Sequence, residues 1–251
     1  MTQDLYNKII IAWIVLGAIV FLINLRIVAP YGRHASKKWG LLINNRLAWI
    51  IMECPVLLIV IYFVLPKYES LSMVVWILFL LFTAHYINRT FVFPFRIKAG
   101  SKKMPLGVML LAVLFNVANG FFIGYYLGNF TGYDSSWLLS LPFIAGAILF
   151  ITGAFINLRA DSLLIGLRKE GQTGYSIPNG FLFNRISCPN HFGEMIEWSG
   201  YALMSYNLPA LAFAVWTMAN LIPRALAHHK WYIAHFDEYP INRKAFLPGI
   251  W

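Results

Sequence analysis

The sequence predicts an all-α integral membrane protein of seven transmembrane helices, N-terminus outside and C-terminus in the cytoplasm. Three observations carry that fold class. Of 251 residues, 59% are apolar and only 12% charged, with mean hydropathy +0.65, whereas soluble domains carry about 25% charged residues. The apolar residues fall into runs that meet the ~20-residue requirement of a spanning helix. The basic residues behind the net charge of +10 sort to one side of those runs. This excludes a cytosolic globule, a disordered tail and a secreted disulfide scaffold. A pI near 9.7 can mark a nucleic-acid partner, but basic DNA readers do not carry such long apolar runs, so no nucleic acid is expected.

The first run, 9–30, has no small-residue cleavage site after it and reads as an anchored helix, not a signal peptide. Runs at 47–65, 71–93, 106–128 and 136–158 follow. From 193 one apolar stretch reaches about 227, broken at Asn207-Leu208-Pro209. Proline cannot continue the hydrogen-bond ladder, so a short helix over 193–206 and a longer one from 208 are expected. Seven spans then leave only Lys8 and Lys67 of the 20 basic residues outside, as the positive-inside rule requires. Six spans would put the C-terminal basic residues on the wrong side.

No repeat or low-complexity tract interrupts this order. The longest non-apolar connection, about 159–192, carries Tyr175, Phe181 and Phe183 and reads as an ordered cap over a cavity. Two cysteines, Cys54 and Cys188, cannot build a disulfide framework. Without C-x-x-C or H-E-x-x-H spacing, no metal site is expected.

Polar residues in or beside the spans point to chemistry. Glu53 is the only carboxylate well inside a span, and intramembrane ionisable groups face the bundle interior or a wet cavity. It reads either as half of an ion pair pinning helices or as a carboxyl kept neutral by its apolar site, able to donate a hydrogen bond. Tyr86 and Arg89, near the end of span three, are three apart and share a helical face; a Tyr there can also be an interfacial anchor. Asn157, Asp161 and Arg168 form one stripe if the fifth helix runs past the bilayer. Asn190, Glu194, Glu197 and Tyr201 form a second, and Arg224, His228, Tyr232 and His235 a third, all at spacings that return to one face. Acidic residues such as Glu194 also suit a helix N-terminus. Three polar stripes on the inner half of three helices predict a polar pocket open to the cytoplasm beside a deeper apolar cavity. A phosphorylated nucleotide suits its basic mouth, yet neither G-x-G-x-x-G after a strand nor a Walker sequence is present. The residues alone give a membrane enzyme that uses a polar cofactor on a lipid-soluble substrate.

At these positions the sequence resembles the steroid 5-alpha-reductase family. The likeness rests on Ala29-Pro-Tyr-Gly-Arg-His34, Ala48-Trp-Ile-Ile-Met-Glu-Cys-Pro55, His85-Tyr-Ile-Asn-Arg-Thr-Phe91 and most of the chain from Asn157. That last part includes Gly174-Tyr-Ser-Ile-Pro178, Ser187-Cys-Pro-Asn-His-Phe-Gly-Glu-Met-Ile-Glu-Trp198 and His228-His-Lys-Trp-Tyr232. The resemblance covers about 29–251. It implies seven membrane helices in one domain over 1–251, with helices one to four (about 1–128) toward substrate. Helices five to seven (about 136–251), with the 159–192 loop, would make most of the cofactor site. It further implies a bacterial inner membrane or endoplasmic reticulum protein, its cofactor site facing the cytoplasm, that passes hydride from NADPH to C5 of a 3-oxo-Δ4-steroid. By the match, Glu53 and Tyr86 polarise the 3-oxo group and Trp49 lines the substrate. Arg89, Asn157, Asp161, Arg168, Tyr175, Asn190, Glu194, His228 and Tyr232 match cofactor positions. The partners implied are a steroid-like lipid and the bilayer, with no obligatory protein partner.

Met52 stands where the family commonly has Gln, and Ser176 where a basic residue often follows the Tyr of Tyr-x-Ile-Pro. Some of Arg96, Lys98, Lys102 and Lys103 are expected at the 2′-phosphate. The alternatives are an NADPH-dependent reductase of another lipid enone (a polyprenal or enoyl thioester), a membrane methyltransferase using S-adenosylmethionine, and a non-enzymatic scaffold.

Overall fold

In the computed structural model, residues 1–28, 30, 32, 37–97, 103–167 and 174–249 are described. Six helices among them are long and apolar enough to cross a membrane: Gln3–Asn24, Asn45–Ser70, Met73–Arg96, Leu106–Asn129, Leu141–Gly166 and Leu208–His235. The protein is therefore a multi-pass membrane protein built almost entirely of helix. Helix α1 is Gln3–Asn24. The chain divides into two compact units, residues 1–10 with 29–143 and residues 11–28 with 144–251.

The first unit is built on α2, Asn45–Val64, and α5, Leu106–Asn129. Gly120, Gly124 and Gly128 bring α5 onto α2 so closely that a Cβ at Gly120 or Gly124 would sit 2.9 Å from the Cα of Val56 or Val60. A Cβ at Gly128 would collide with the Phe63 carbonyl. This is how helices pack in lipid, where small residues let backbones meet. The same two helices are tied at their starts by strands β1, Leu42–Asn44, and β2, Lys103–Pro105, paired antiparallel with Ile43 opposite Met104. Asn44 then caps α2, its side-chain oxygen accepting from the N–H groups of Arg46 and Leu47. Helix α3, Met73–Ile87, is capped by Ser72 and runs into a π-helical turn, Asn88–Val92, before the short α4, Phe93–Arg96. Pro94 explains the irregularity, since it has no N–H for the carbonyl four residues back and its ring crowds that carbonyl.

In the second unit, helix α6 is Leu141–Gly166, α7 is Pro189–Ser205 and α8 is Leu208–His235. The break expected at Asn207–Pro209 is present: Tyr206 turns left-handed (φ 46°), and the Asn207 side chain caps α8 by accepting from the Ala210 N–H. Several helix limits lie beyond the apolar runs. Helix α6 continues to Gly166, past the apolar run that ends near 158, as a shared stripe of Asn157 and Asp161 requires, because Asp161-Ser-Leu-Leu-Ile-Gly166 has no break before its glycine. Helix α7 begins at Pro189, which suits a first helical position, and α8 continues past the apolar stretch to His235, so one helix carries the whole stripe of Arg224, His228, Tyr232 and His235 expected on it. The connection expected over 159–192 is thus shorter at both ends. Helix α7 has 17 residues, about 26 Å at 1.5 Å per residue. That falls short of the ~30 Å hydrocarbon core, and α7 is not among the six long apolar helices. In this unit α1 meets α8 through Trp216, whose indole N–H donates to the Trp13 carbonyl at 2.9 Å and whose ring lies 3.1 Å from a Cβ placed at Gly17.

Candidate active site

Within the first unit, Glu53 is only 9% exposed and Tyr86 only 4%. Glu53 lies on α2 two residues before Pro55, where the helix loses a backbone donor. Tyr86 follows Leu78, Phe79 and Phe82 along the buried face of α3, its ring 4.9 Å from that of Phe82. Helices α2 and α3 pack against each other. From α5, the amide nitrogen of Asn116 donates to the Glu53 carboxyl (Oε2, 3.2 Å) and to the Met52 carbonyl (2.6 Å). Met52 itself packs with Ala48, Met104 and Met109, against Trp49.

Trp49 and Arg89, named separately from sequence, come together. The Arg89 guanidinium lies 4.7 Å above the ring of Trp49 and 4.7 Å above that of Phe93, whose rings meet edge to face. The π-helical turn carries Arg89, and such turns inside helices often sit at functional sites.

Four of the residues expected at a cofactor meet in the second unit. The Asn157 amide donates to the Asn190 carbonyl (3.0 Å) and to Glu194 (3.3 Å), and the Asn190 amide donates to Asp161 (3.2 Å). Glycines make this network possible. A Cβ at Gly153 would collide with the Glu197 N–H, one at Gly193 would sit 2.5 Å from the Asn157 nitrogen, and Gly146 and Gly200 face the opposite backbone in the same way. Helices α6 and α7 thus touch backbone to backbone, which leaves short Asn and Asp side chains able to bridge them. Glu197 and Tyr201 share the buried face of α7.

The third stripe divides. Arg224 and Tyr232 are buried, His228 is half-buried, and His235 is exposed with its ring stacked on Trp231. His228 lies 5.6 Å from the His191 ring and 3.8 Å from the Cys188 sulfur. Tyr175 meets Trp231 edge to face at 5.1 Å. Arg168, Lys98 and Lys102 lie outside the described residues, while Arg96 and Lys103 are exposed.

Sequence reading missed the C-terminal segment beyond α8. Arg243, counted there only as a topological charge, is buried: it donates to the Pro178 carbonyl (3.0 Å) and Asn179 (3.2 Å) and lies over the Tyr239 ring. Tyr239 stacks on Tyr232 at 5.3 Å, and its hydroxyl meets the Ser187 hydroxyl, which also contacts His229 (2.7 Å) and the Lys244 carbonyl. Burial holds the Tyr239 phenol above its ordinary pKa. The segment therefore fastens the stretch bearing Tyr175 and buttresses Tyr232. Its signal was an Arg set among Tyr239, Pro240 and Phe246. Asn116 was missed as well, although it stands inside an apolar run as Glu53 does.

The family model described as 3-oxo-5-alpha-steroid 4-dehydrogenase matches residues 102–251. The 3-oxo-5-alpha-steroid 4-dehydrogenase 1 of Bos taurus is 40% identical over 239 residues, covering 93% of this chain and 92% of that protein. The steroid 5-alpha-reductase DET2 of Gossypium hirsutum is 39% identical over 232 residues, covering 89% and 88%. The human 3-oxo-5-alpha-steroid 4-dehydrogenase 1 is 38% identical over 236 residues, covering 92% and 90%. Identity at this level along nearly the whole length means that the chain belongs to the 3-oxo-5-alpha-steroid 4-dehydrogenase family.

Proposed function

We propose that the protein reduces the C4–C5 double bond of 3-oxo-Δ4-steroids to 5α-dihydrosteroids, using NADPH. The observation that carries this reading is kinship over about nine-tenths of the chain with relatives named for that activity in animals and plants. NADPH, when bound, supplies the hydride that enters at C5. The polar set on α6 and α7 suits such a ligand. Asn157 and Asn190 bring amides that both donate and accept, while Asp161 and Glu194 bring carboxyl oxygens that accept from ribose hydroxyls. Tyr175, His228 and Tyr232 belong to the same assignment, as do Arg89 and Arg168. The 2′-phosphate falls to some of Arg96, Lys98, Lys102 and Lys103.

On the substrate side, attack at C5 of the enone drives charge onto the 3-oxo oxygen. Donors aimed at that oxygen lower the barrier, and losing one costs roughly 10²–10³ in rate. Glu53 and Tyr86 are those donors, with Trp49 lining the steroid. Their burial keeps water from competing for the carbonyl. A solvent-derived proton then enters at C4. In the membrane, the positive-inside bias puts the C-terminus and the nucleotide on the cytoplasmic side.

The test is turnover. Purified protein with NADPH and progesterone or testosterone is expected to consume NADPH and to yield the saturated 3-oxosteroid, identified by mass spectrometry. Preference for a polyprenal or an enoyl thioester would overturn the substrate. Thermal stabilisation by S-adenosylmethionine and not by NADPH would overturn the chemistry.

A further inference from the structure

We infer that Asn116 is a positioning residue that presents the Glu53 carboxyl in one orientation, with the donating proton on Oε1. The inference rests on the proposed role of Glu53 as a hydrogen-bond donor to the 3-oxo group. The Asn116 side chain is 5% exposed on α5. Its nitrogen contacts the Met52 carbonyl and Glu53 Oε2. A peptide carbonyl can only accept, so the atom facing it must be the amide nitrogen, which fixes the amide orientation. That nitrogen has two hydrogens. One is held by a rigid backbone acceptor on α2 and the other goes to Oε2 of the next residue on the same helix.

Two consequences follow. The Glu53 side chain is tied to its own helix backbone through a single group, which removes rotamer freedom that a carboxyl next to a proline break would otherwise keep. Oε2, receiving a hydrogen, takes the carbonyl role in a neutral carboxyl, so the proton resides on Oε1. Glu53 then meets the substrate already as a donor. Close approach of α5 to α2 at Gly120, one turn beyond Asn116, sets the distance at which a side chain as short as Asn reaches.

The experiment is a double-mutant cycle on the full-length protein with NADPH and progesterone. Asn116→Leu keeps the volume and removes the donor; its kcat is expected to fall about 10–100-fold with little change in steroid KM, the pattern of an interaction made in the transition state. In a Glu53→Ala background, where the Asn116 amide has no side chain left to position, the same substitution is expected to change the residual rate less than about 2-fold, because its effect passes through the carboxyl. Equal losses in both backgrounds would overturn the inference, as would Asn116→Leu with wild-type kcat. Should Asn116→Leu not fold, Asn116→Asp keeps the shape and is expected to show the same dependence on Glu53. Wild-type protein that turns over no steroid would overturn the proposed function and this inference together. Wild-type turnover with an indifferent Asn116 would overturn this inference alone.

Discussion

At the scale of single residues, the physics of a charge in lipid made Glu53 visible in the sequence. A carboxylate inside an apolar helix is costly enough that its presence demands a use. Asn116 carries no charge, costs less and passes as one polar residue among many, so its partnership with Glu53 emerges only when α5 is laid on α2. Tyr86 was ambiguous for the opposite reason, since a Tyr near a helix end is common; its burial against Phe82 argues against an interfacial anchor. Replacing it by Phe keeps the ring packing and deletes one hydroxyl. Tyr86→Phe is expected to retain its thermal stability in detergent and to lose roughly 10²-fold or more in kcat, as for removal of a donor to a developing oxyanion. Kinetics within about 2-fold of wild type would assign Tyr86 to packing alone.

At the scale of elements, the long helices were legible because apolar length is a strong signal, and the Asn207–Pro209 break because proline is. Three features were not. The β1–β2 pair consists of three-residue strands whose pairing is long-range and leaves no alternation to read. The π-helical turn depends on how the chain absorbs Pro94. The first turn of α7, from Pro189, lies ahead of the apolar stretch that begins near 193, so apolarity alone does not mark it. The glycine contacts of α6 with α7 support a prediction. Gly153→Ala puts a methyl group against the Glu197 backbone, and an overpacked contact costs about 1–3 kcal/mol. A lower melting temperature and weaker stabilisation by NADPH are expected. Gly132→Ala, where nothing lies within 4 Å of the new Cβ, is the matched control. Equal melting temperatures for the two variants would remove the close contact from the account.

At the scale of the whole molecule, the charge asymmetry is what the sequence offers on orientation: with the seven spans expected from it, 18 of the 20 basic residues fall on one side. Of the two basic residues expected on the far side, Lys8 pairs with Asp4 at 2.7 Å and Lys67 donates to Asn129 at 2.7 Å. Orientation is directly measurable with single introduced cysteines in intact cells. Ser136→Cys is expected to react with an impermeant maleimide from outside, and Ser176→Cys only after permeabilisation. The reverse pattern would invert the topology and with it the side on which NADPH is met.

The central claim, hydride transfer from NADPH to C5 of an enone polarised at its 3-oxo group, is tested most directly by isotope placement. Purified protein would be given progesterone with NADPH deuterated at the transferable position, and the product analysed by NMR. The account predicts one deuterium at C5 and a solvent hydrogen at C4. Deuterium at C4, or a saturated steroid without the label, would contradict it.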